Sequence, residues 1–267
     1  MEFRIHHRKV TESTNADARA GRAGDVYTAD EQTAGRGRLD HRWLSAPGEN
    51  LMMSAVFDVD GMPLEVAATF PLMVGLAVRD AVEGLLPSGA PKVLLKWPND
   101  VLAAGRKLAG ILCERRGGLV VAGIGLNVNQ TDFAPEIAER ATSLAVLRGR
   151  RGDVAVDEVR DAVLRALAAR YSVWREGGFA AMHGEYSAVD ALAGRIVEVA
   201  LNDGDATPAR GLCGGVAPDG SLIVGGSPVF AGEAHVIAFH ANDPNLISLK
   251  RAVKGRCCFP SVAGVCN

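Results

Sequence analysis

The run Lys92-Val-Leu-Leu-Lys-Trp-Pro-Asn-Asp-Val-Leu102 opens the part of the chain whose pattern decides the fold. Apolar residues dominate on both sides of the polar turn Pro98-Asn-Asp100, and two more apolar segments follow after Gly-containing turns. The predicted strands lie at 93–102, 107–115 and 119–129, with turns at 103–106 and 117–118. Because turns this short join antiparallel neighbours, the segment predicts an antiparallel meander.

Helical patterns lie on both sides of the meander along the chain. A helix is expected after Pro63, where Val66, Phe70 and Val74 follow at helical spacing, and Pro71 predicts a kink or a later start. Further strands are expected at 3–10, 26–29 and 50–59, and further helices at 16–20, 135–140, 157–174 and 179–188. The predicted fold class is α+β, with a mixed or antiparallel sheet flanked by helices.

The pattern changes near residue 192, where short strand candidates alternate with turns rich in Gly and Asp. Strands expected at 195–201, 209–217, 221–224 and 233–239 suit a small β-barrel. The expected division is a main domain at 1–190, a small barrel domain at 191–240 and a poorly ordered tail at 241–267.

The overall composition argues against several classes of protein. The chain of 267 residues has a formal net charge of −2, so no global basic field favours nucleic acid or an anionic membrane. No apolar run reaches the roughly 18 residues of a membrane-spanning helix, and the first residues lack the apolar core of a secretory signal. The five cysteines include no C-x-x-C pair. We expect a cytoplasmic protein with neither a disulfide framework nor a zinc site.

A glycine- and arginine-rich stretch suggests an anion site. In Glu31-Gln-Thr-Ala-Gly-Arg-Gly-Arg-Leu-Asp-His-Arg-Trp43, the glycines allow close approach to a ligand and the arginines offer planar donor forks for carboxylate or phosphate. The cations that could converge on one anion are Arg36, Arg38, Lys96 and Lys107. Asp100 could oppose one cation or hold Mg²⁺. This set suits attack of a carboxylate on an α-phosphate, which needs two anions held together but no catalytic base.

Simpler interpretations stay open for these residues. The Gly/Arg stretch could be a solvated basic turn, Lys96 a solvated strand residue, and Asp100 the residue that closes the turn after Pro98. Trp97 is expected in the core rather than at a ligand.

Two other patterns carry less information. Ser13-Thr-Asn15 could cap the following helix, although one cap does not require three short polar residues, and the surplus could donate to a small polar ligand. Gly123-Ile-Gly125 begins like a dinucleotide-binding fingerprint but has Val128 where the third glycine belongs. The sequence contains no P-loop and no credible Ser-His-Asp set.

Five ordered motifs resemble the motif series of biotin–protein ligases. They are Glu12-Ser-Thr-Asn15, Gln32-Thr-Ala-Gly-Arg-Gly-Arg38 with Trp43, Lys96-Trp-Pro-Asn-Asp100, Arg106-Lys-Leu-Ala-Gly-Ile111 and Gly123-Ile-Gly-Leu-Asn-Val-Asn129. The spacing of 107 − 96 = 11 between the two lysines is similar as well. The resemblance covers residues 3–240. It implies a ligase domain like that of class II aminoacyl-tRNA synthetases, followed by a small SH3-like β-barrel.

The resemblance also implies a two-step reaction and a set of site residues. Biotin and ATP, the latter with Mg²⁺, would give biotinyl-5′-AMP and pyrophosphate, and a lysine of a biotin carboxyl carrier protein would then attack the mixed anhydride. The implied biotin-binding residues are Ser13, Thr14, Asn15, Gln32, Arg36, Gly37, Arg38 and Lys107. The implied nucleotide-binding residues are Arg36, Arg38, Trp43, Asn99, Asp100 and Asn127, with Asp100 as the candidate Mg²⁺ ligand. Arg38 and Lys107 are the expected catalytic residues.

The chain departs from the family pattern after Arg38. The family often has Gly and Arg where this chain has Asp40 and His41, which affects the expected closure of the loop more than the chemistry. Because 3–10 is already expected as the first catalytic strand, no DNA-binding domain is expected, and the chain should act as a ligase only, as a monomer or a homodimer. Two alternatives stay open. A lipoate–protein ligase predicts a glycine-rich acyl loop in place of Gly-Arg-Gly-Arg, and a non-catalytic biotin-binding module would lose the cations that meet phosphate.

Overall fold

The computed structural model describes residues 1–38, 41–150, 154–200 and 207–239, and the strands within these ranges form two sheets. The strands of the larger sheet are β1 Arg4–Thr11, β2 Asp25–Gln32, β3 Leu51–Asp58, β4 Val93–Lys96, β5 Asp100–Ala103, β6 Arg106–Arg116 and β7 Leu119–Leu126. Their order is β1-β2-β3-β7-β6-β5-β4. β1 and β2 are parallel and the other neighbours are antiparallel, which confirms the predicted mixed sheet.

The predicted meander forms, but with four strands rather than three. Pro98 has no N–H to donate to a strand ladder, and the chain reverses there, so the apolar run predicted as one strand at 93–102 is divided into β4 and β5. The Trp97–Pro98 peptide is cis. β6 then pairs with β7 in a register that places Gly110 beside Gly125.

The helices are α1 Thr14–Ala18, α2 Leu64–Ala68, α3 Phe70–Leu85, α4 Leu144–Arg148, α5 Val156–Gly177 and α6 His183–Ser187, with a 3-10 helix at Phe179–Met182. Pro71 lies in the first turn of α3, where its missing N–H is tolerated, so the later start is confirmed and α2 is a separate helix. The helix predicted at 135–140 is wrong. Those residues form turns, and α4 follows instead, where Ser143 Oγ accepts from the Val146 backbone N–H at 3.2 Å.

The two faces of the larger sheet have different roles. Side chains alternate along a strand, so Ala122 and Ile124 of β7 belong to one face and Gly123 and Gly125 to the other. The first face is part of the main apolar core, which it shares with α3 and α5. On the second face, α1 covers one end through Ala18. The glycines beyond α1 form the floor of a cleft.

The smaller sheet contains β8 Arg195–Ala200, β9 Ala209–Val216, β10 Leu222–Val224, β11 Ser227–Val229 and β12 Glu233–Phe239, in the order β11-β10-β9-β8-β12. The four predicted strands are confirmed, and β11 was not predicted. Within the described residues, β11 and β12 are the two edges of this sheet. The C-terminal β-sheet unit is therefore confirmed, while its closure into a barrel stays a prediction. The predicted tail at 241–267 lies outside the described residues.

Hydrogen bonds connect the smaller sheet and its turns to residues next to the larger sheet. Trp97, buried as expected, donates from Nε1 to Gly220 O at 3.1 Å. Asp190 accepts from the backbone N–H groups of Leu192 at 2.8 Å and Val216 at 3.1 Å. The smaller sheet is thereby fixed beside the turn between β4 and β5. Across the described ranges, we find no helix with the length and apolarity needed to cross a membrane.

Candidate active site

A cleft lies over the glycine floor, bordered by the start of α1, the Gly/Arg loop after β2 and the meander. Every site residue predicted from the sequence lines it, except Asn127. These lining residues are Ser13, Thr14, Asn15, Gln32, Arg36, Gly37, Arg38, Trp43, Asn99, Asp100 and Lys107. The structure adds further lining residues to which sequence reasoning assigned no role, among them Arg42, Gly110, Leu112, Gly123, Gly125 and Glu233. The fold thus brings the five motifs to one place.

Three short polar residues form one end of the cleft. Ser13, Thr14 and Asn15 are each 4% exposed. Ser13 occupies the N-cap position of α1, but its side chain makes no capping hydrogen bond, so the simple capping interpretation does not account for its hydroxyl. Thr14 donates its backbone N–H to Gln32 Oε1 at 2.7 Å, and Thr14 Oγ1 lies 3.1 Å from the same oxygen. This end therefore offers small hydrogen-bonding groups that have little exposure to solvent.

Residues that sequence reasoning missed support this polar end. Ser54 on β3 is fully buried, and its Oγ lies 2.6 Å from Asn15 Oδ1 and 2.8 Å from Thr14 Oγ1. Asn15 Nδ2 donates to Glu114 Oε2 at 2.7 Å and to Leu112 O at 3.3 Å. A hydroxyl inside an otherwise apolar strand was the one sequence signal for Ser54. Glu114 had none, because an acidic residue near a strand end is usually solvated.

Two glycines of β7 set how closely the walls of the cleft approach the sheet. A Cβ on Gly123 would overlap Asn15 Oδ1, and a Cβ on Gly125 would overlap the ring of Trp43. The Trp43 ring also lies against Gly110, and its Nε1 is buried without a hydrogen-bond partner in the described part of the chain. The pattern that begins like a dinucleotide fingerprint is therefore the floor of the cleft.

The Gly/Arg loop is a short hairpin whose arms pair through the backbone. Trp43 N–H donates to Gly35 O at 3.0 Å, and Gly37 N–H donates to His41 O at 2.6 Å. His41 lines the cleft, whereas Asp40 lies outside the described residues. The paired backbone argues against a freely solvated basic turn.

Positive side chains outnumber acidic ones around the cleft. The lining cations are Arg36, Arg38, Arg42, Lys96 and Lys107, and the lining carboxylates are Asp100 and Glu233. Asp100 lies between two lysines, with Oδ1 2.6 Å from Lys107 Nζ and Oδ2 3.9 Å from Lys96 Nζ. The surplus of positive charge in a concave site favours an anionic ligand.

Arg38 connects the loop to the smaller sheet. Its side chain is partly buried, and Nη1 donates to Gly232 O at 3.3 Å. Burial lowers the pKa of Arg38, while the charges of Glu233 and Asp100 act in the opposite direction. The guanidinium still carries its charge at neutral pH, because the ordinary pKa of arginine is very high. A partly desolvated cation acts more strongly on a nearby anion than an exposed one.

The two asparagines predicted on the nucleotide side are placed differently. Asn99 lines the cleft, and its Nδ2 donates to Ile111 O at 2.9 Å. Asn127 lies in the protein interior, where its Nδ2 donates to Thr142 O at 2.9 Å and fastens the segment before α4. Its predicted contact with a nucleotide stays a prediction.

Asp100, the candidate Mg²⁺ ligand, is not part of a larger cluster of metal-binding side chains in the described part of the chain. Among the residues that the structure describes, no three His, Cys, Asp or Glu side chains are grouped to hold a metal ion. Mg²⁺ bound with a nucleotide takes one or two carboxylates together with phosphate oxygens and water. Asp100 fits that arrangement as a single carboxylate beside the cations of the cleft.

Comparison with known proteins defines the family. Residues 8–130 match the model of the biotin/lipoate A/B protein ligase family. The chain is 38% identical over 238 residues to the biotin–[acetyl-CoA-carboxylase] ligase of Mycobacterium tuberculosis, spanning 85% of this chain and 86% of that protein. It is 33% identical over 229 residues to the corresponding ligase of Paracoccus denitrificans, spanning 81% of this chain and 92% of that protein.

The fold comparison agrees with the sequence comparison. The biotin protein ligase from Aquifex aeolicus in complex with biotin and ATP superposes with a TM-score of 0.75 at 28% identity, covering 88% of this chain and 98% of that chain. The fold and the sequence thus place this chain among the protein ligases. This chain belongs to the biotin/lipoate protein ligase family.

The contact between Trp43 and Gly125 predicts the effect of one methyl group. Gly125→Ala should displace the Trp43 ring toward solvent, because the new Cβ would occupy the place of the ring. Trp97 and Trp174 are 2% and 0% exposed, so acrylamide quenching of tryptophan fluorescence reports mainly on Trp43 and should increase. Gly84→Ala, at a helical position with open space around it, is the control. Unchanged quenching in Gly125→Ala would contradict this packing.

Proposed function

We propose that this protein catalyses the ATP-dependent ligation of biotin to a lysine of a biotin carboxyl carrier protein, through biotinyl-5′-AMP. The cleft carries this proposal. Its buried set of small polar groups suits a neutral ring that forms hydrogen bonds, and its surplus of cations suits two anions. The relatives named as biotin ligases and the neighbour solved with biotin and ATP support the same substrates.

The first step joins two anions. A carboxylate oxygen of biotin attacks the α-phosphorus of ATP, the bond from that phosphorus to the oxygen bridging to the β-phosphate breaks, and pyrophosphate leaves with the electron pair. No proton is transferred, so the step needs no base. The protein must hold the reactants together and stabilise the charge that develops on the phosphate and the leaving group.

The second step transfers the acyl group to the carrier. The neutral amine of a carrier lysine attacks the acyl carbon, AMP leaves with the electron pair of the anhydride oxygen, and the amine loses a proton to solvent. The open cleft is the route by which the lysine reaches the acyl carbon. The protein partner in this proposal is the carrier domain of a biotin-dependent carboxylase.

Arg38 and Lys107 are the residues proposed to act on the reacting groups. Lys107 Nζ pairs with Asp100 and lies 5.9 Å from the ring centroid of Trp43, where a substrate anion would compete with Asp100 for the ammonium. Arg38 would hold the carboxylate and the α-phosphate together. Arg36, which is exposed on the same hairpin, would complete this clamp. Gly37, between the two arginines, has no side chain and would let the backbone of the loop approach the ligand.

The remaining cleft residues are assigned to the two substrates. Ser13, Thr14, Asn15 and Gln32 would surround the ureido ring of biotin, and Asn99, Asp100 and Trp43 would line the nucleotide side. Mg²⁺ bound with ATP would neutralise phosphate charge, and Asp100 is the carboxylate placed to hold it. This divides the cleft into a ring end and a phosphate end over one floor.

The alternative functions explain fewer observations. The family model includes lipoate ligases, but the full-length relatives named above are biotin ligases, and the loop carries Gly-Arg-Gly-Arg instead of a glycine-rich acyl loop. A non-catalytic biotin-binding module would not require five cations around the cleft.

Further parts of the proposal concern the whole protein. We propose a catalytic domain at 1–190 and a small domain at 191–240, supported by the separation of the strands into two sheets. We also propose a cytoplasmic location, a monomer or a homodimer, and no DNA binding. Gel filtration with light scattering measures the oligomeric state, and a mobility-shift assay checks for DNA binding.

Biotin-dependent exchange of labelled pyrophosphate into ATP tests the proposed function. The exchange requires adenylate formation and its reversal, so it should occur with biotin and Mg²⁺ and depend on both. Lipoate is the control substrate and should support little exchange. Exchange with lipoate alone would favour the lipoate ligase, and no exchange with either acid would contradict adenylate formation.

Replacing Arg38 tests the clamp on the two anions. Arg38→Ala should lower the rate of adenylate formation about 100-fold or more, because the variant loses a partly buried cation next to the reacting groups. Circular dichroism should show an unchanged fold. Arg165→Ala, which removes an exposed arginine from α5, is the matched control and should keep the parent rate. A normal rate in Arg38→Ala would remove Arg38 from the catalytic residues.

A further inference from the structure

We infer that Glu114 is a positioning residue that fixes the direction of a hydrogen-bond chain through Asn15 and Ser54 to Thr14, and that this direction leaves the Thr14 hydroxyl as an acceptor toward the ligand. The inference rests on the proposed function, because the ligand group that it explains is a ureido N–H of biotin. Glu114 is not among the residues that line the cleft, although its Oε2 lies 3.8 Å from Nη2 of the lining residue Arg36, and sequence reasoning assigned it no role.

The hydrogen-bond chain begins at Glu114, whose ionised carboxylate can only accept hydrogen bonds. The Glu114 carboxylate accepts from Asn15 Nδ2 at 2.7 Å and from Arg19 Nη2 at 3.0 Å. Burial opposes ionisation of Glu114, but the hydrogen bonds from Asn15 and Arg19 and the charge of Arg36 outweigh it, so the pKa of this carboxyl lies below its ordinary value. Glu114 is therefore ionised at neutral pH and supplies no proton to the chain.

An ionised Glu114 fixes the orientation of the Asn15 amide. Nδ2 also donates to Leu112 O at 3.3 Å, so both amide hydrogens have acceptors. A reversed amide would place Oδ1 against a carboxylate and a carbonyl, which is repulsive. Oδ1 therefore faces Ser54 Oγ, 2.6 Å away, where it can only accept. It follows that Ser54 donates its single hydroxyl proton to Asn15.

With its proton donated to Asn15, Ser54 has none left for Thr14, whose hydroxyl oxygen lies 2.8 Å away. The Thr14 hydroxyl therefore donates within the protein, either to Ser54 Oγ or to Gln32 Oε1 at 3.1 Å. Gln32 Oε1 also accepts the Thr14 backbone N–H, and an amide oxygen can accept both hydrogen bonds. The Thr14 hydroxyl is left with acceptor lone pairs.

This polarity selects the kind of ligand that the ring end accepts. A ring that presents an N–H to Thr14, as a cyclic urea does, satisfies the free lone pairs. A ring that presents only acceptors at this place would leave two oxygens facing each other without a proton, at a cost typical of an unsatisfied buried polar group. Glu114 thus determines ligand polarity at Thr14 without touching the ligand.

A double-variant cycle tests the chain, with biotin binding to the full protein measured by calorimetry in the absence of ATP. Glu114→Gln keeps the size of the side chain but offers a group that can also donate, so the direction is no longer fixed. We expect the Kd for biotin to rise about tenfold. Ser54→Ala cuts the chain in the middle and should also raise the Kd about tenfold. The double variant should bind no more weakly than either single variant, because both changes break the same chain.

The controls separate positioning from general damage. Arg115→Ala removes an exposed side chain from the adjacent position of β6 and should leave the Kd unchanged. If Ser54→Ala does not fold, Ser54→Cys replaces it in the cycle, because a thiol is a weak donor. Wild-type affinity for biotin in Glu114→Gln would overturn this inference but not the proposed function. So would a Kd that rises about a hundredfold in the double variant, because the two changes would then act independently. Failure of the unmodified protein to bind biotin would overturn the proposed function and this inference together.

Discussion

Asn15 and Trp43 both rest on strand β7, one over Gly123 and the other over Gly125, and the cleft depends on this shared floor. Residues at i and i+2 of a strand face the same side and lie about 6–7 Å apart. The distance across the cleft between Asn15 and Trp43 is therefore set by a rigid strand rather than by loops. A methyl group at either glycine would move one wall relative to the other. The neighbouring strands strengthen the floor, because β7 is paired along its length on both sides.

The charges above this floor account for a reaction that needs no proton transfer from a side chain. Two substrate anions repel each other, and five lining cations against two carboxylates provide the opposite field. Asp100 Oδ1 lies 2.6 Å from Lys107 Nζ, and in the proposed reaction a substrate anion would compete with it for the ammonium. Arg38 reaches the backbone of Gly232, so the smaller sheet takes part in ordering the loop. The C-terminal unit is thus part of the cleft, which Glu233 lines.

The sequence predicted the local features well, because they depend on neighbouring residues. The meander was predicted from its Gly-containing turns, and the helix after Pro63 from the spacing of its apolar residues. The start of α3 follows from Pro71, which is tolerated in the first turn of a helix. Ser54 and Glu114 could not be found in this way. Ser54 Oγ meets Asn15 across 39 positions of the chain and Glu114 meets it across 99, and neither partner is visible in local pattern.

Two other predictions concern residues that follow β7, and of these the helix is wrong and the nucleotide contact of Asn127 stays a prediction. Asn127 belongs to the same motif as Gly123 and Gly125, but it follows the end of β7, where its side chain turns inward to Thr142. The helix predicted at 135–140 failed because its residues had helical composition without an apolar face to bury. Composition and spacing identified the elements around the cleft, while the direction of each side chain was decided by packing between distant strands.

The account requires that one cleft hold the acyl group and the nucleotide side by side. The most direct test is the affinity for a non-hydrolysable analogue of biotinyl-5′-AMP, measured by competition against biotin. An analogue that spans both ends should bind at least about 100-fold more tightly than biotin alone, because it makes the contacts of both substrates as one molecule and resembles the reaction intermediate. Binding no tighter than that of biotin would show that the two ends do not form one site and would contradict the account.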